Sequence, residues 1–567
     1  MKNSKNDLFD AFSKAYNNLN PEQRLAVDTT EGPVMVIAGP GTGKTQILTL
    51  RIANILLKTD TRPENILALT FTDSGVRAMR NRLTSFIGAD AYNVPIHTFH
   101  SFAGDLIRKY PDAYENIVGG RPASELEKRK IIEDLLEDEK YKRIRPHGDP
   151  SFYVKPILDA ISTLKKEYIP SEKFSQSIEI QIQNLDEVEK FHTKGAHKGK
   201  VRGEYQDLEK MLERNQELLH IYQRYNAKMR ALRLFDFEDM ILDTISSLEK
   251  NQDMLFDTQE QYQYILADEH QDVNQSQNRL IEIISNYHES PNVFVVGDEK
   301  QAIFRFQGAS LENFLFFEDI YKSAKIIALT SNYRSDQKIL DLAHESISTD
   351  DPELKKLRIP LKAEKQYEVI LSKQSFSHRA IEDSWVVDQI KKHHASGVSF
   401  KEMAIIVHTN KEIQQLATLL RKEKIPVSPS SDNDILEHPI FIAIKNLMRA
   451  VAEVDNEVIL AEVLQAPYWN INNNDLVLVL MSRSFSNRLS KIIGNESSLK
   501  DIGVENVESF LRVDRVLQSA RADSVIKTPA EVLEKLLQES GLLDFALRQT
   551  IYDSTRVVRR LYDEVES

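Results

Sequence analysis

The segment Val34-Met-Val-Ile-Ala-Gly-Pro-Gly-Thr-Gly-Lys-Thr45 constrains this chain more than any other. Apolar residues run without interruption into a turn built on Gly39, Gly41 and Gly43, and a helical pattern opens at Gln46. An apolar run with no polar alternation suits a strand buried on both faces, the condition of a parallel sheet covered by helices. A Gly-rich turn entering a helix lets successive backbone N–H groups point inward, and the helix N-terminus adds a field that favours an anion. The segment therefore reads as a phosphate cradle of Ala38, Gly39, Gly41, Thr42, Gly43, Lys44 and Thr45. In it Lys44 reaches the β and γ oxygens of a nucleoside triphosphate, and the Thr45 hydroxyl is placed to ligate Mg2+. The strict spacing has Gly where this chain has Ala38, a small-residue variant.

Similar short β-branched runs fall at residues 66–72, 94–99, 264–269, 293–298 and 326–329, each followed by turn residues and a helical pattern. Strands alternating with helices indicate an α/β fold with a parallel sheet. Between residues 110 and 235 the strand signals give way to charged stretches such as 125–137 and 204–230, whose apolar residues recur at helical spacing, so a helical insertion is expected. A further strand at 403–407 and a helix at 411–422 continue the α/β pattern, and from about residue 434 the chain reads as helical again.

A cradle alone leaves many chemistries open, and Tyr264-Ile-Leu-Ala-Asp-Glu-His-Gln-Asp272 narrows them. An apolar strand delivers two adjacent carboxylates at its carboxyl end. Asp268 is the natural partner of Mg2+, and Glu269 can orient and deprotonate an attacking water. That second role belongs to hydrolysis rather than to phosphorylation of a small molecule. With no cysteine in 567 residues, disulfides, Cys-ligated metal and a thiol nucleophile are excluded within this sequence. No segment approaches the ~18 apolar residues of a membrane span, so a cytoplasmic location is expected. The net charge is −13, so a nucleic-acid site has to be a local basic groove, for which Arg77, Arg80, Arg82 and the loop from Lys194 to Arg202 are candidates.

The order of these motifs resembles superfamily 1 DNA helicases of the UvrD/Rep/PcrA type, over roughly residues 17 to 430. Leu19-Asn-Pro-Glu-Gln-Arg-Leu-Ala26 is similar to that family's adenine-recognising segment, which implies that the Gln23 amide reads the base. The stretch from Ala68 to Asp73, with Arg77 behind it, and Ile96-His-Thr-Phe-His-Ser-Phe102 resemble its strand-contacting motifs. The resemblance implies DNA contacts from Phe71, Thr72, Arg77, Thr98 and His100. Val295 to Ala309 looks like the motif that couples nucleotide to DNA, with Gln301 placed to sense the γ-phosphate and Phe304 and Phe306 to stack bases. Leu329-Thr-Ser-Asn-Tyr-Arg-Ser335 brings Arg334, similar to the family's arginine finger, and Tyr333, similar to a residue beside the adenine. The family usually carries Phe where His270 stands and Arg where Gln307 and Gln46 stand.

The resemblance implies two RecA-like domains, each carrying a helical insertion. The first domain is expected at residues 1–112 with 228–312 and its insertion at 113–227; the second domain at 313–433 and its insertion from 434 to 567. No later segment resembles the family's Val-His-(Ser/Thr)-x-Lys-Gly strand or the helix bearing a second arginine finger, so the second domain and its insertion are expected to be incomplete. The function implied is an ATP-dependent 3′–5′ DNA helicase and single-stranded DNA translocase, using ATP and Mg2+ in repair or recombination. The alternatives are the motor part of a RecB/AddA-like helicase–nuclease, an ATP-gated DNA-binding adaptor that does not unwind, and a motor on RNA.

Overall fold

The computed structural model describes residues 5–137, 141–144, 152–192, 198–301, 317–347, 359–429, 439–453, 456–483 and 488–549. Six strands form one sheet: β1 (Val34–Ala38), β2 (Ile66–Thr70), β3 (Ile96–Thr98), β4 (Tyr264–Ala267), β5 (Asn292–Gly297) and β6 (Lys325–Leu329). Their order is β3-β2-β4-β5-β1-β6, and every neighbouring pair is parallel. The architecture is α/β, as expected.

Alternate residues of each strand feed two separate cores, which is why the strands carry no polar face. Val34, Val36, Ile66, Ala68, Leu266, Phe294 and Val296 pack against the helices Lys44–Lys58 and Asp73–Ile87. Met35, Ile37, Leu67, Leu69, Ile265, Val293 and Val295 pack on the other side against Phe99–Lys109, Phe237–Lys250 and Gln275–Ser285. Because all six strands run the same way, their carboxyl ends share one rim. In an open parallel sheet that rim is where ligands bind.

The helical insertion is built from Glu125–Leu136, Val154–Lys166, Ser171–Glu187 and Gly203–Ala231. Ile132, Ile157, Ile161, Ile221, Tyr222 and Tyr225 form its core. Its return does not fall between residues 227 and 228: the helix Gly203–Ala231 runs through that point, and Met229 and Leu234 still pack into the insertion. The two connections close instead where Arg121–Pro122 pairs with Leu234–Phe235.

A buried ion cluster joins the insertion to the sheet domain. Lys165, 2% exposed, donates to Asp236 Oδ2 and Asp239 Oδ1, each at 2.7 Å. Asp236 also caps the helix Phe237–Lys250, in a reciprocal arrangement with Asp239. Two carboxylates share one buried ammonium. Burial, reinforced by the charge of Asp236, pushes the Asp239 carboxyl up to about 7. Against the same effect of burial, the Lys165 ammonium holds Asp236 below its ordinary range. The folded chain therefore binds a proton at Asp239 that the unfolded chain has released between 3.8 and about 7. This contribution to stability falls as pH rises through that window. Thermal melts should show the decline in the natural chain and a flatter profile in Asp239→Asn, and equal slopes would refute the assignment. Lys165→Met, which strands two carboxylates, should cost about 3–5 kcal/mol in urea denaturation.

Residues up to 371 cluster in one compact unit, and β6 is hydrogen-bonded to β1 at the edge of the six-stranded sheet. The second unit covers residues 372–567. Its helices Arg379–Ala395 and Asn410–Lys422 bury a small core of Val387, Leu420 and Ile425. From Pro439–Ala452 to Leu542–Gln549 its elements are helical around Trp469, Phe510, Val513 and Leu536, as the pattern from residue 434 predicts. The strand expected at 403–407 is not one. No described residue of this unit pairs with it, and Ile406 is 94% exposed.

Candidate active site

The phosphate cradle stands at the carboxyl end of β1. Gly41 and Gly43 hold φ of +73° and +94°, which only glycine adopts at low cost. Gly41 also admits a close neighbour: a Cβ there would lie 2.6 Å from the Arg334 Cβ. The Thr42 hydroxyl donates to the Gly39 carbonyl at 2.7 Å and its own carbonyl accepts from Gln23 Nε2 at 2.8 Å, so the loop is braced from both sides. Gln23, 4% exposed, also accepts from the Asn20 N–H at 3.2 Å in a capping box. Its amide is engaged with the loop and the helix start at once. Ala38 is fully buried as the last residue of β1, and Lys44 and Thr45 open the following helix.

Two strands away, β4 is followed directly by Asp268 and Glu269. Lys44 Nζ donates to Glu269 Oε2 at 2.7 Å, which brings together the cation and the carboxylate named from separate motifs. Glu269 holds φ of +49°, a left-handed conformation uncommon for a residue with a Cβ. Asp268 Oδ1 accepts the Glu269 N–H at 2.9 Å, and the Asp268 N–H donates to the Leu69 carbonyl on β2 at 2.9 Å. Burial, with the charge of Glu269 added, raises the Asp268 carboxyl to about 6. The same two causes raise Asp272 to about 6, and burial raises Asp298 at the end of β5.

Four carboxylates thus converge on one lysine, and Asp272 Oδ1 and Asp298 Oδ2 are buried with no hydrogen-bond partner. That excess of oxygen donors suits a hard divalent cation. Among the described residues no group of three or more acidic or histidine side chains is placed around one point. Asp272, Asp298 and Gln271 were not singled out from sequence. The signal was their position one to five residues beyond the ends of β4 and β5.

The segment after β6 lies directly on the cradle. Asn332, fully buried, donates through Nδ2 to the Pro40 carbonyl and accepts at Oδ1 from the N–H groups of Arg334 and Ser335, at 2.9 and 2.7 Å. The Tyr333 N–H donates to the Gly41 carbonyl at 2.9 Å, and its hydroxyl accepts from Asn20 Nδ2 at 3.1 Å. Arg334 is exposed, its Cα set by Asn332 beside Gly41. Asn332 is a further residue that sequence reasoning missed.

The UvrD/REP helicase N-terminal domain model matches residues 19–322, and the UvrD-like helicase C-terminal domain model matches residues 327–550. This chain belongs to the UvrD/REP helicase family. A Staphylococcus epidermidis protein named ATP-dependent DNA helicase PcrA is 28% identical over 541 residues, which cover 95% of this chain and 68% of that protein. A Staphylococcus aureus protein of the same name is 26% identical over 539 residues, with the same coverage of each chain.

In this UvrD/REP helicase the candidate strand-contacting residues stand on the same rim, beyond β4. Phe71 and Thr72 follow β2, with Phe71 half-buried and Thr72 exposed. Thr72 caps the helix Asp73–Ile87 through the Gly75 N–H at 3.0 Å, and Arg77 is exposed on that helix. Thr98 ends β3 and caps Phe99–Lys109. His100, half-buried, meets the edge of Phe237 at 6.1 Å, and burial lowers its pKa. Arg80 does not fit a basic groove: its guanidinium is committed to the carbonyls of Ala91 and Val94. His97 Nε2 lies 3.4 Å from Asp105 Oδ2. Gln301 closes the turn Glu299–Gln301 after β5. Phe304, Phe306, Gln307 and Lys194 lie outside the described residues. Among the described residues no helix is long and apolar enough to cross a membrane.

Proposed function

We propose that this chain is an ATP-dependent DNA helicase and translocase that moves 3′ to 5′ along single-stranded DNA, in repair or recombination and in the cytoplasm. The observation that carries the reading is Lys44 Nζ at 2.7 Å from Glu269 Oε2, on a rim where the segment of Arg334 rests against Gly41. The PcrA names of its relatives support ATP and DNA as its substrates.

The chain's own groups divide the work. Lys44 and the N–H groups of residues 41–45 bind the β and γ oxygens, and Lys44 exchanges Glu269 for phosphate as it does so. Glu269 takes the proton of the attacking water. Arg334 meets the charge that spreads over the transferred phosphoryl group. Thr45 and Asp268 hold Mg2+, which when bound neutralises phosphate oxygens. Gln301 senses the γ-phosphate, Gln23 and Tyr333 lie at the adenine, and Phe71, Thr72, Arg77, Thr98 and His100, with Phe304 and Phe306, take the strand.

The test is phosphate release from ATP with Mg2+, with and without a single-stranded oligonucleotide, followed by unwinding of duplexes tailed at either end. Stimulation by DNA and unwinding of the 3′-tailed duplex are expected. Binding of nucleotide and DNA without phosphate release would make the chain an ATP-gated adaptor. Unwinding from a 5′ tail would overturn the polarity, and stimulation by RNA alone would overturn the substrate.

A further inference from the structure

Gln271 stands between the water-activating carboxylate and the end of the neighbouring strand. It is 2% exposed, and both ends of its amide are used. Nε2 donates to Glu269 Oε2 at 2.8 Å and lies 3.4 Å from Asp272 Oδ2. Oε1 accepts the N–H of Asp298, the first residue after β5, at 2.9 Å. Asp298 in turn organises the turn that leads to Gln301: its Oδ1 accepts from the Lys300 N–H at 3.0 Å and its carbonyl from the Gln301 N–H at 3.0 Å.

Glu269 Oε2 thus has two donors of unlike permanence, Lys44 Nζ at 2.7 Å and Gln271 Nε2 at 2.8 Å. Lys44 is the ligand of phosphate and must leave the carboxylate when nucleotide binds. Gln271 has no such second duty, because its other end is fixed to backbone. Glu269 also needs holding: its backbone is in the left-handed region, so the side chain's aim is not one the main chain favours by itself.

We infer that Gln271 is a positioning residue for ATP hydrolysis. It keeps the Glu269 carboxylate aimed after Lys44 has turned to the nucleotide, and it ties that aim to the Asp298–Gln301 turn. The inference rests on the proposed assignment of Glu269 as the base.

Two substitutions separate the ends of the amide. Gln271→Glu retains an acceptor for the Asp298 N–H and loses the donor to Glu269, whereas Gln271→Leu loses both. In the full chain with ATP, Mg2+ and single-stranded DNA, each is expected to lower kcat by about tenfold to a hundredfold, the range of losses when an outer-shell partner is removed. The KM for ATP should stay within about twofold, because ground-state binding is untouched. Adding Gln271→Leu to Glu269→Gln should cost nothing further in single-turnover hydrolysis, because the residue acts only through that carboxylate. Melting temperatures identify the variants that fold, and one of the two suffices. Wild-type kcat in a folded variant, or the same loss with and without Glu269, would overturn the inference while leaving the ATPase site standing. Wild-type turnover by Glu269→Gln would instead bring down the assignment beneath it.

Discussion

Lys44→Ala is expected to abolish measurable phosphate release and weaken nucleotide binding together, whereas Glu269→Gln is expected to slow release and leave binding intact. The difference follows from the geometry of one ion pair. Lys44 is a ligand of the phosphates, so its loss is felt in the ground state as well as the transition state. Glu269 acts on the water, and removing a general base costs typically 10²–10⁴ in rate. Neutralising Glu269 also frees Lys44 from its partner at 2.7 Å, so nucleotide affinity should hold or rise in that variant. Fluorescent-nucleotide titration alongside phosphate release checks both. Equal loss of affinity in the two variants would contradict the division of labour.

Arg334→Ala should lower kcat by about 10³ or more with little change in nucleotide affinity, the magnitude associated with an arginine supplied to a transferring phosphoryl group. Its backbone is already placed: Asn332, buried, accepts the Arg334 N–H at 2.9 Å and reaches the cradle at Pro40. Lysine should not restore the activity, because it lacks the planar fork that meets two oxygens together. A kcat near that of the natural chain would remove Arg334 from the reaction.

The local chemistry of this site was legible in the sequence. The Gly turn, Lys44, and the Asp268–Glu269 pair each announce themselves within a few residues, because an apolar strand ending in a polar turn is a short-range signal. What was not legible depended on partners distant in sequence. Lys325–Leu329 reads as a strand but carries no mark of the sheet it joins, and it lies beside β1 rather than in the second unit. Residues 403–407 have the composition of a strand, yet a ladder needs a neighbour and no described residue of that unit provides one. Arg80 looked like a groove cation, but a long side chain near a helix end can as easily satisfy carbonyls, and it bonds those of Ala91 and Val94. The helix that ends at Ala231 carries the insertion core past the point where the motif spacing placed the boundary. Gln271 and Asn332 were hidden for a different reason: amides are common, and only tertiary geometry tells a bridging one from a solvated one.

The bond from the Asp268 N–H to the Leu69 carbonyl means that the metal-side carboxylate and the loop of Phe71 are mounted on adjoining rails. Parallel ladders shear poorly and their strands lie about 4.8 Å apart. Under the proposed function, a load borne at Phe71 and Thr72 would reach the Asp268 carboxylate through that single hydrogen bond between neighbouring strands.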